Sequence, residues 1–216
     1  MLFEDRHDAG RTLAARLAEF RSKKAIVIAV PRGGVVVGYE VANDLNLPLD
    51  VIVTRKIGAP DNPEYAIGAV AETGAVLLNE EEIRNFGLSR LYVERETDRQ
   101  MEEIRRRVQL YRGGRGFPVV RGRTVILVDD GIATGFTLRT AIKAIRSLGP
   151  RELVLAVPVA PPDVIGDFER EVDRTVCLAT PSPFFAVGAW YRHFEQTTDE
   201  EVQRYLAAAT GKATRR

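Results

Sequence analysis

The amino-acid sequence predicts an α/β fold built around a doubly wound, mostly parallel sheet. Two observations support this prediction: short continuous apolar runs, as in strands covered on both faces, and amphipathic segments at helical spacing that alternate with them. Parallel neighbours in a sheet require crossover connections, which the intervening helices would supply. The chain has 216 residues, of which 45% are hydrophobic and 28% charged, so we expect a single globular domain over residues 1–216.

The first half of the chain opens with a helix and then alternates strands and helices. Leu13, Leu17 and Phe20 recur at helical spacing. A continuous apolar run follows, and Pro31-Arg32-Gly33-Gly34 ends it. In chain order we predict the helix Ala9–Phe20, the strand Ala25–Val30, the helix Val35–Leu45, the strand Leu49–Thr54, and a hairpin of Ala66–Ala71 and Ala75–Leu78 around Thr73-Gly74.

Residues from about 79 to 118 form a predicted helical insertion within the domain. Glu80–Arg84 and the long stretch Ser89–Arg112 are charged and helical in pattern, with a sparse apolar stripe. Such a stripe is typical of a solvated helix that lies across the body of a domain. A lid or a dimer arm is the alternative, and the sequence leaves this choice open.

The second half of the chain returns to alternating strands and helices. The strand Thr124–Val128 and the helix Thr137–Leu148 come first, and Gly149-Pro150 ends that helix. The remaining predicted elements are the strand Leu153–Val159, the helix Pro162–Glu171, the strand Thr175–Ala179 and the terminal helix Asp199–Ala208, with Thr198 as its N-cap.

Composition argues against several classes of function. A formal net charge of +1 is unlike that of a non-specific nucleic-acid binder, which carries a strong basic excess. The single cysteine, Cys177, lies in an apolar stretch and is interpreted as a small buried hydrophobe, and with two histidines a zinc site is not expected. We see neither a secretory signal nor an apolar run of the ~20 residues that a membrane span needs. We therefore expect a soluble, cytoplasmic protein with no nucleic-acid or membrane partner.

The segment Val125–Thr137 is the most informative part of the sequence. Four apolar residues deliver two adjacent carboxylates, Asp129 and Asp130, to the carboxyl end of a buried strand, where ligands bind in open α/β sheets. A short loop of small residues then runs into a helix, so its backbone N–H groups can bind an anion beside the hydroxyls of Thr134 and Thr137. Acids for a polyol beside amides for a phosphate describe a cradle for ribose 5-phosphate.

This segment resembles the signature with which type I phosphoribosyltransferases bind phosphoribosyl pyrophosphate (PRPP): a hydrophobic strand, two acids, and a loop of the form Ala-Thr-Gly-x-Thr. The resemblance implies the α/β core of that family with a small hood. It also implies that the acids bind the ribose hydroxyls, and Mg²⁺ through those hydroxyls or water, while the loop binds the 5-phosphate. The residues so implied are Asp129, Asp130, Gly131, Ala133, Thr134, Gly135 and Thr137, of which Asp129 and Asp130 also serve the metal.

Two further stretches fit the same resemblance. Pro31-Arg32-Gly33-Gly34 follows the first strand, where the family has its pyrophosphate loop; its glycines let N–H groups face phosphate, and its arginine offers a bidentate charge. Thr54-Arg55-Lys56 ends the second predicted strand and resembles a cation pair that contacts pyrophosphate in several members. A plain strand-to-helix turn and a solvated cation pair are the alternatives. The PRPP site implied in this way includes Arg32, Gly33, Arg55 and Lys56, with Arg32 and Lys56 assisting catalysis.

The acceptor site is less clearly marked in the sequence. Family members often carry a carboxylate at the position of Ala133, so the general base must come from elsewhere, and Glu64 is our candidate. The stretch Phe184-Phe185-Ala186-Val187-Gly188 resembles one whose phenylalanine stacks on the purine in hypoxanthine-guanine members, which would make Phe185 a stacking platform. Core aromatics are the alternative. The aspartate that follows in those members is absent, so purine specificity does not follow from the resemblance.

The resemblance implies an enzyme that transfers the 5-phosphoribosyl group of PRPP to a small nitrogenous acceptor, a nucleobase by family precedent, and releases pyrophosphate. It further implies dependence on Mg²⁺ and a homodimer. A regulator that senses PRPP without transferring it is the alternative on the same fold. Cations on two separate loops favour the enzyme, because sensing requires only the phosphate and ribose contacts.

Overall fold

The chain folds into two compact units, each with its own sheet. The computed structural model describes residues 2–60 and 62–213, with the side chains of Glu64 and of residues 210–213 outside the described set. The first unit comprises the chain up to Val51, the segment Pro118–Thr134 and the chain from Leu148 on, and the second comprises Ile52–Phe117 and Gly135–Ser147.

The elements alternate along the chain much as the sequence predicts. The strands are β1 (Ala25–Ala29), β2 (Leu49–Val51), β3 (Thr54–Ala59), β4 (Asn62–Ala71), β5 (Val76–Leu78), β6 (Thr124–Val128), β7 (Glu152–Val159) and β8 (Arg174–Ala179). The helices are α1 (Arg6–Arg16), α2 (Gly33–Leu45), α3 (Glu80–Asn85), α4 (Arg90–Arg112), α5 (Phe136–Ser147), α6 (Pro162–Phe168) and α7 (Asp199–Ala213). Short 3₁₀ turns lie at Ala18–Phe20 and Val187–Trp190. Within the described residues, no helix combines the length and the apolar character that a membrane crossing requires.

The first unit contains a parallel sheet whose strand order, over the described residues, is β2-β1-β6-β7-β8. Every neighbouring pair runs parallel, and β1 pairs with β6 from Ala25–Thr124 to Ala29–Val128. Both strands are buried along their whole length, as their continuous apolar runs require. The predicted mostly parallel α/β fold is confirmed.

The segment that precedes α1 pairs with a segment close to α7. The backbone N–H of Phe3 donates to the carbonyl of Trp190 at 2.9 Å, and that of His193 donates to the carbonyl of Glu4 at 2.9 Å. Phe3 is buried and packs its ring 5.4 Å from that of Tyr191, in a cluster that includes a residue at the end of β7. Two parts of the chain that are distant in sequence therefore meet at the carboxyl edge of the parallel sheet.

The last helix, α7, begins with a reciprocal capping box. The Thr198 hydroxyl accepts a hydrogen bond from the backbone N–H of Glu201 at 3.2 Å, and the Glu201 carboxylate accepts one from the backbone N–H of Thr198 at 2.9 Å. The predicted N-cap is confirmed. The helix continues to Ala213, beyond the predicted end at Ala208.

The second unit contains an antiparallel sheet with the order β3-β4-β5, against which α4 and α5 pack. The predicted hairpin is confirmed as β4 and β5, with Gly74 at a φ of +83° in the turn. The prediction for Leu49–Thr54 is wrong in one respect. The core strand ends at Val51, and Thr54-Arg55-Lys56 opens β3 of this second sheet. Because both sheets bury apolar residues here, the apolar run continues unbroken across the change of sheet.

The predicted helical insertion consists of α3 and α4. Ser89 caps α4 by accepting a hydrogen bond from the backbone N–H of Tyr92 at 3.2 Å, and Gly113 ends the helix at a φ of +58°. The sparse apolar stripe is buried through Val93 and Ile104, whereas most of the charged residues of the helix are exposed. The sequence predicts the apolar stripe and the charged faces of this helix, and the structure shows that the stripe packs on the antiparallel sheet.

A buried ion pair joins the end of α4 to the β4–β5 hairpin. The side chains of Arg112 and Glu72 are 2% and 7% exposed, and one guanidinium nitrogen of the arginine donates to Oε2 of the glutamate. The other carboxylate oxygen, Oε1, accepts from the backbone N–H of Val53 at 2.9 Å, and the Phe117 ring lies 5.3 Å from Cζ of the arginine. Both carboxylate oxygens of this pair are therefore engaged.

Candidate functional site

The acid pair lies where the sequence predicts it, immediately after β6. Asp129 and Asp130 follow Val128 at the carboxyl edge of the parallel sheet, and both are largely removed from solvent. Burial and the neighbouring charge of Asp130 raise the pKa of Asp129 well above its usual range. Burial also raises the pKa of Asp130, although a nearby arginine opposes this rise. Two adjacent buried carboxyl groups are costly unless something compensates them, which is typical of a functional site.

The glycines at the start of α2 pack directly against the acid pair. A Cβ atom added to Gly33 would overlap the Asp130 carboxylate, and one added to Gly34 would lie 2.9 Å from both Cα and Oδ1 of Asp129. Any side chain at either position would displace the acids or the helix. The structure thus brings together the turn predicted to bind pyrophosphate and the acids predicted to bind ribose.

Arg6, at the start of α1, forms an ion pair with the second acid. Its Nε donates to Oδ2 of Asp130 at 2.7 Å, and the two side chains are 11% and 17% exposed. Its Nη1 donates to the backbone carbonyl of Glu195 at 2.7 Å, and its Cζ lies 3.8 Å from the centre of the Phe194 ring. Sequence analysis missed this residue because the pair joins positions 124 apart in the chain.

Tyr191 secures the backbone of the acid loop. Its hydroxyl donates to the backbone carbonyl of Asp130 at 2.5 Å, and burial raises its pKa, so the group stays protonated as a donor. Next in the loop, a Cβ added to Gly131 would lie 2.5 Å from a methyl carbon of Val187. The backbone N–H of Ile132 donates to the carbonyl of Val159 at 2.9 Å. Contacts with distant segments therefore fix the first half of the loop.

The second half of the predicted phosphate loop presents small residues before α5. Ala133 and Thr134 are exposed, and Gly135 has a φ of +77°, a backbone conformation that disfavours other residues. Helix α5 then begins at Phe136, so Thr137 lies in its first turn. Free N–H groups of a helix start are donors suited to a phosphate. This arrangement is the one that the signature predicts.

The three predicted cations lie in different surroundings. Arg32, immediately before α2, is half-buried, and its guanidinium has no hydrogen bond or ion pair among the described residues. Arg55 lies in β3, and its Nε donates to the Gln100 side chain of α4 at 3.0 Å. Lys56 follows it, is exposed and also has a partner. Of the three, Arg32 adjoins the glycines that pack on the acid pair.

The predicted acceptor residues are less well defined by the structure. Phe185 is 83% exposed, so the alternative of a core aromatic is wrong for this residue. Its neighbour Phe184 packs instead on the cluster around Phe3 and Tyr191. The side chain of Glu64, the candidate base, lies outside the described residues.

Cys177 is half-buried in β8, and its thiol donates to the carbonyl of Ala179 at 3.2 Å. Burial raises the pKa of this thiol to about 11. The thiol is therefore neutral near pH 7, consistent with the predicted small hydrophobe.

The fold and this site define an α/β protein in which an acidic loop and a glycine turn meet at the carboxyl edge of a parallel sheet. Residues 4–189 match the model of the phosphoribosyl transferase domain. The chain therefore belongs to the phosphoribosyltransferase family, and the predicted resemblance to its type I members is confirmed.

Similar proteins extend this result over nearly the whole chain. Proteins from two Mycobacterium tuberculosis strains, provisionally named as phosphoribosyl transferases, are 46% identical over 208 residues, which cover 96% of this chain and 47% of theirs. The chain thus spans about half the length of these curated relatives. The crystal structure of TT1426 from Thermus thermophilus is 43% identical, with a TM-score of 0.81 and coverage of 96% of this chain and 99% of that one.

Proposed function

We propose that the protein transfers the 5-phosphoribosyl group of PRPP to a small nitrogenous acceptor, a nucleobase in our prediction, and releases pyrophosphate. In this reaction the bond from C1 of the ribose to the pyrophosphate oxygen breaks, and its electron pair leaves with pyrophosphate. A bond from the acceptor nitrogen to C1 forms, and a general base takes the proton that the nitrogen loses. Membership of the family indicates a transferase; the acceptor and the metal requirement belong to the proposal.

One observation carries this proposal: the acid pair and the glycine turn are packed against each other. In the proposal Asp129 and Asp130 accept hydrogen bonds from a diol. The close packing supports this, because Gly33 and Gly34 leave no Cβ between the acids and the start of α2. The reaction has a transition state with positive charge on the sugar, which needs positioning and charge neutralisation more than covalent help from protein. A site with carboxylates for the sugar and backbone amides for the phosphate would supply both the positioning and the charge neutralisation.

The residues present fit Mg²⁺ held mainly by the substrate. Among the described residues, no group of three or more His, Cys, Asp or Glu side chains could hold a metal ion by itself. Mg²⁺ usually keeps several waters and is bound by one or two carboxylates together with substrate phosphates. Asp129 and Asp130 would serve in this way, through ribose hydroxyls or water. When bound, the metal would supply charge neutralisation for the departing pyrophosphate.

Arg32 is the cation best placed to bind pyrophosphate. It precedes the glycine turn, and its guanidinium has no partner within the described part of the chain, so it can bind an anion without breaking an existing contact. Arg55 and Lys56 stay in the proposal as further contacts, although Arg55 would have to exchange its bond to Gln100 for one to the ligand.

The proposal is tested by measuring pyrophosphate release from magnesium PRPP with purines, pyrimidines and other nitrogen acceptors. We expect release with at least one acceptor. The double variant D129N/D130N should lose PRPP binding by about tenfold or more per lost charged hydrogen bond, while R16M in α1 should bind as the parent does. Unchanged affinity of the double variant in calorimetry would remove the acid pair from the site.

Arg32 also separates the enzyme from the alternative of a PRPP sensor. We expect R32M to weaken pyrophosphate binding and turnover by about tenfold or more, with a smaller effect on ribose 5-phosphate binding. R32K should also be impaired, because a point charge does not replace the planar guanidinium. Tight PRPP binding by the parent protein without pyrophosphate release from any acceptor would favour the sensor.

Several further features stay predictions. Glu64 as general base, Phe185 as a stacking platform and a homodimer rest on the sequence resemblance, whereas a cytoplasmic location and a single functional domain with α3 and α4 as its insertion rest on length, composition and charge pattern. A pH–rate profile of E64Q, a fluorescence titration of F185A with the accepted base, and light scattering would test the first three.

A further inference from the structure

Arg6 is held in place by contacts that do not depend on a ligand. Three groups surround its guanidinium: the Asp130 carboxylate, the backbone carbonyl of Glu195 and the face of the Phe194 ring. The carbonyl and the ring both come from the segment that pairs with the residues preceding α1. These two contacts hold the guanidinium in place independently of its ion pair with Asp130.

The pairing leaves part of the carboxylate available. Oδ2 of Asp130 accepts from Arg6, and the carboxyl group also interacts with the side chain of Asp129; since a carboxylate has about four acceptor sites, it can still accept from a ligand hydroxyl. Gly33 lies against the same oxygen, because a Cβ added there would overlap Oδ2 and lie 2.8 Å from Nε of Arg6. The arginine and the glycine backbone therefore both act on the Oδ2 side of the carboxylate and limit how it can turn.

Arg6 also offsets the negative charge of the adjacent acids Asp129 and Asp130. Asp129 and Asp130 are adjacent and largely buried, and two like charges in such surroundings repel. The charged and titratable groups around Asp130 are Arg6 from α1, Asp129 from the same loop and Tyr191 from the C-terminal segment, while α2 contributes the uncharged Gly33. Among these groups, Arg6 alone carries a positive charge.

We propose that Arg6 is a positioning residue for the ribose diol of PRPP: it fixes the orientation of the Asp130 carboxylate, so that this acid meets the sugar hydroxyls already aligned. This inference rests on the proposed function of the same site and adds a residue that lies outside both the signature loop and the glycine turn. Arg6 acts through Asp130, so its effect on ligand binding should require the carboxylate.

The test measures the dissociation constants of ribose 5-phosphate and of pyrophosphate by calorimetry in magnesium-free buffer. R6M should weaken ribose 5-phosphate binding by about tenfold or more and change pyrophosphate binding by less than about threefold. R6K keeps the charge but loses the planar fork, so its loss should be smaller. R16M is the matched control, since Arg16 is an exposed arginine of the same helix, and it should bind as the parent does.

A double-variant cycle with D130N shows whether Arg6 acts through the acid. In the D130N background, R6M should cost less than about twofold in ribose 5-phosphate affinity, because the carboxylate that it positions is gone. Equal losses in both backgrounds, equal losses for both ligands, or tighter binding by R6M would each overturn the inference. If R6M does not fold in thermal unfolding, the same cycle with R6K decides.

Failure of this inference is distinguishable from failure of the proposed function. If the parent protein binds ribose 5-phosphate and R6M binds it equally well, Arg6 has no positioning role and the proposed function stands. If the parent protein binds neither ribose 5-phosphate nor PRPP, the proposed function fails and the inference falls with it.

Discussion

Two largely buried arginine–carboxylate pairs among the described residues resemble each other in chemistry and differ in surroundings. In the second unit, Arg112 and Glu72 are almost fully enclosed, and both oxygens of the glutamate have protein partners. In the first unit, Arg6 holds one oxygen of Asp130, a second acid lies beside it, and glycine backbone faces the pair. We expect a carboxylate whose two oxygens both have protein partners to serve the structure, and one that lies beside a second acid and glycine backbone to serve a ligand.

The largest expected effect comes from breaking the enclosed pair. R112M would leave Glu72 buried without its cation, which typically costs about 3–5 kcal/mol of unfolding free energy. The pair of Arg99 and Glu96 on α4 supplies the control, because this arginine is 66% exposed and the glutamate also accepts from Gln100, so R99M should cost less than about 1 kcal/mol. Guanidinium unfolding of both variants measures the difference. If R112M lowers the free energy of unfolding no more than R99M does, the buried pair of Arg112 and Glu72 does not stabilise the fold as we expect.

The next effect concerns the open backbone beside the acid pair. G33A adds a Cβ that overlaps Asp130, so we expect a loss of about 1–3 kcal/mol in stability and of about tenfold or more in ribose 5-phosphate affinity. Gly166 in α6 has no atom within 4 Å of an added Cβ, and G166A should be neutral or stabilising by up to about 1 kcal/mol. Thermal unfolding and calorimetry compare the two variants. Normal ligand binding by G33A would show that this close approach does not matter.

The smallest effect concerns a third kind of pair, on the surface of α4. Hydrogen bonds from Arg106 and Arg107 lower the pKa of Glu103 from 4.5 to about 2. Because the pKa of Glu103 is depressed in the folded state, its ion pairs add to the free energy of unfolding above about pH 4.5. This stabilisation is lost as the pH falls through about 2. E103Q should cost at most about 0.5 kcal/mol near pH 7, since the pair is partly solvated. Urea unfolding of parent and variant across this pH range should show the difference disappear in acid.

The sequence predicts well those parts of the fold that are specified locally. The strand Thr124–Val128 has the predicted bounds, because a continuous apolar run ends there at two charged residues. Ser89 and Thr198 begin helices because their side chains accept from N–H groups three residues ahead. The position of the acid pair is predictable for the same reason, because Asp129 and Asp130 directly follow a buried strand in the sequence.

The parts that the sequence does not predict depend on partners far along the chain. Arg6 precedes the predicted helix Ala9–Phe20, although the observed helix α1 begins with it, and its contact with Asp130 exists only once the sheet has formed. The sequence from Leu49 to Thr54 does not reveal that the chain passes from one sheet to the other, because an apolar residue can be buried against either sheet. The exposure of Phe185 is likewise set by the tertiary fold, in which the neighbouring Phe184 is the one that packs, partly buried, against the core.

The order in which a ribosome makes the chain has a consequence for the Arg6 contacts. The backbone carbonyl that holds Arg6 belongs to Glu195, 189 positions later, and β6 lies at the centre of the parallel sheet between β1 and β7. Synthesis runs from the N-terminus, so Arg6 is made well before Glu195 and cannot form this contact until that residue follows. A nascent chain halted before Tyr191 lacks the groups that anchor both Arg6 and the acid loop, however much of its sheet has already paired. The contacts that hold Arg6 and the acid loop are thus completed only once the residues up to Glu195 have been made.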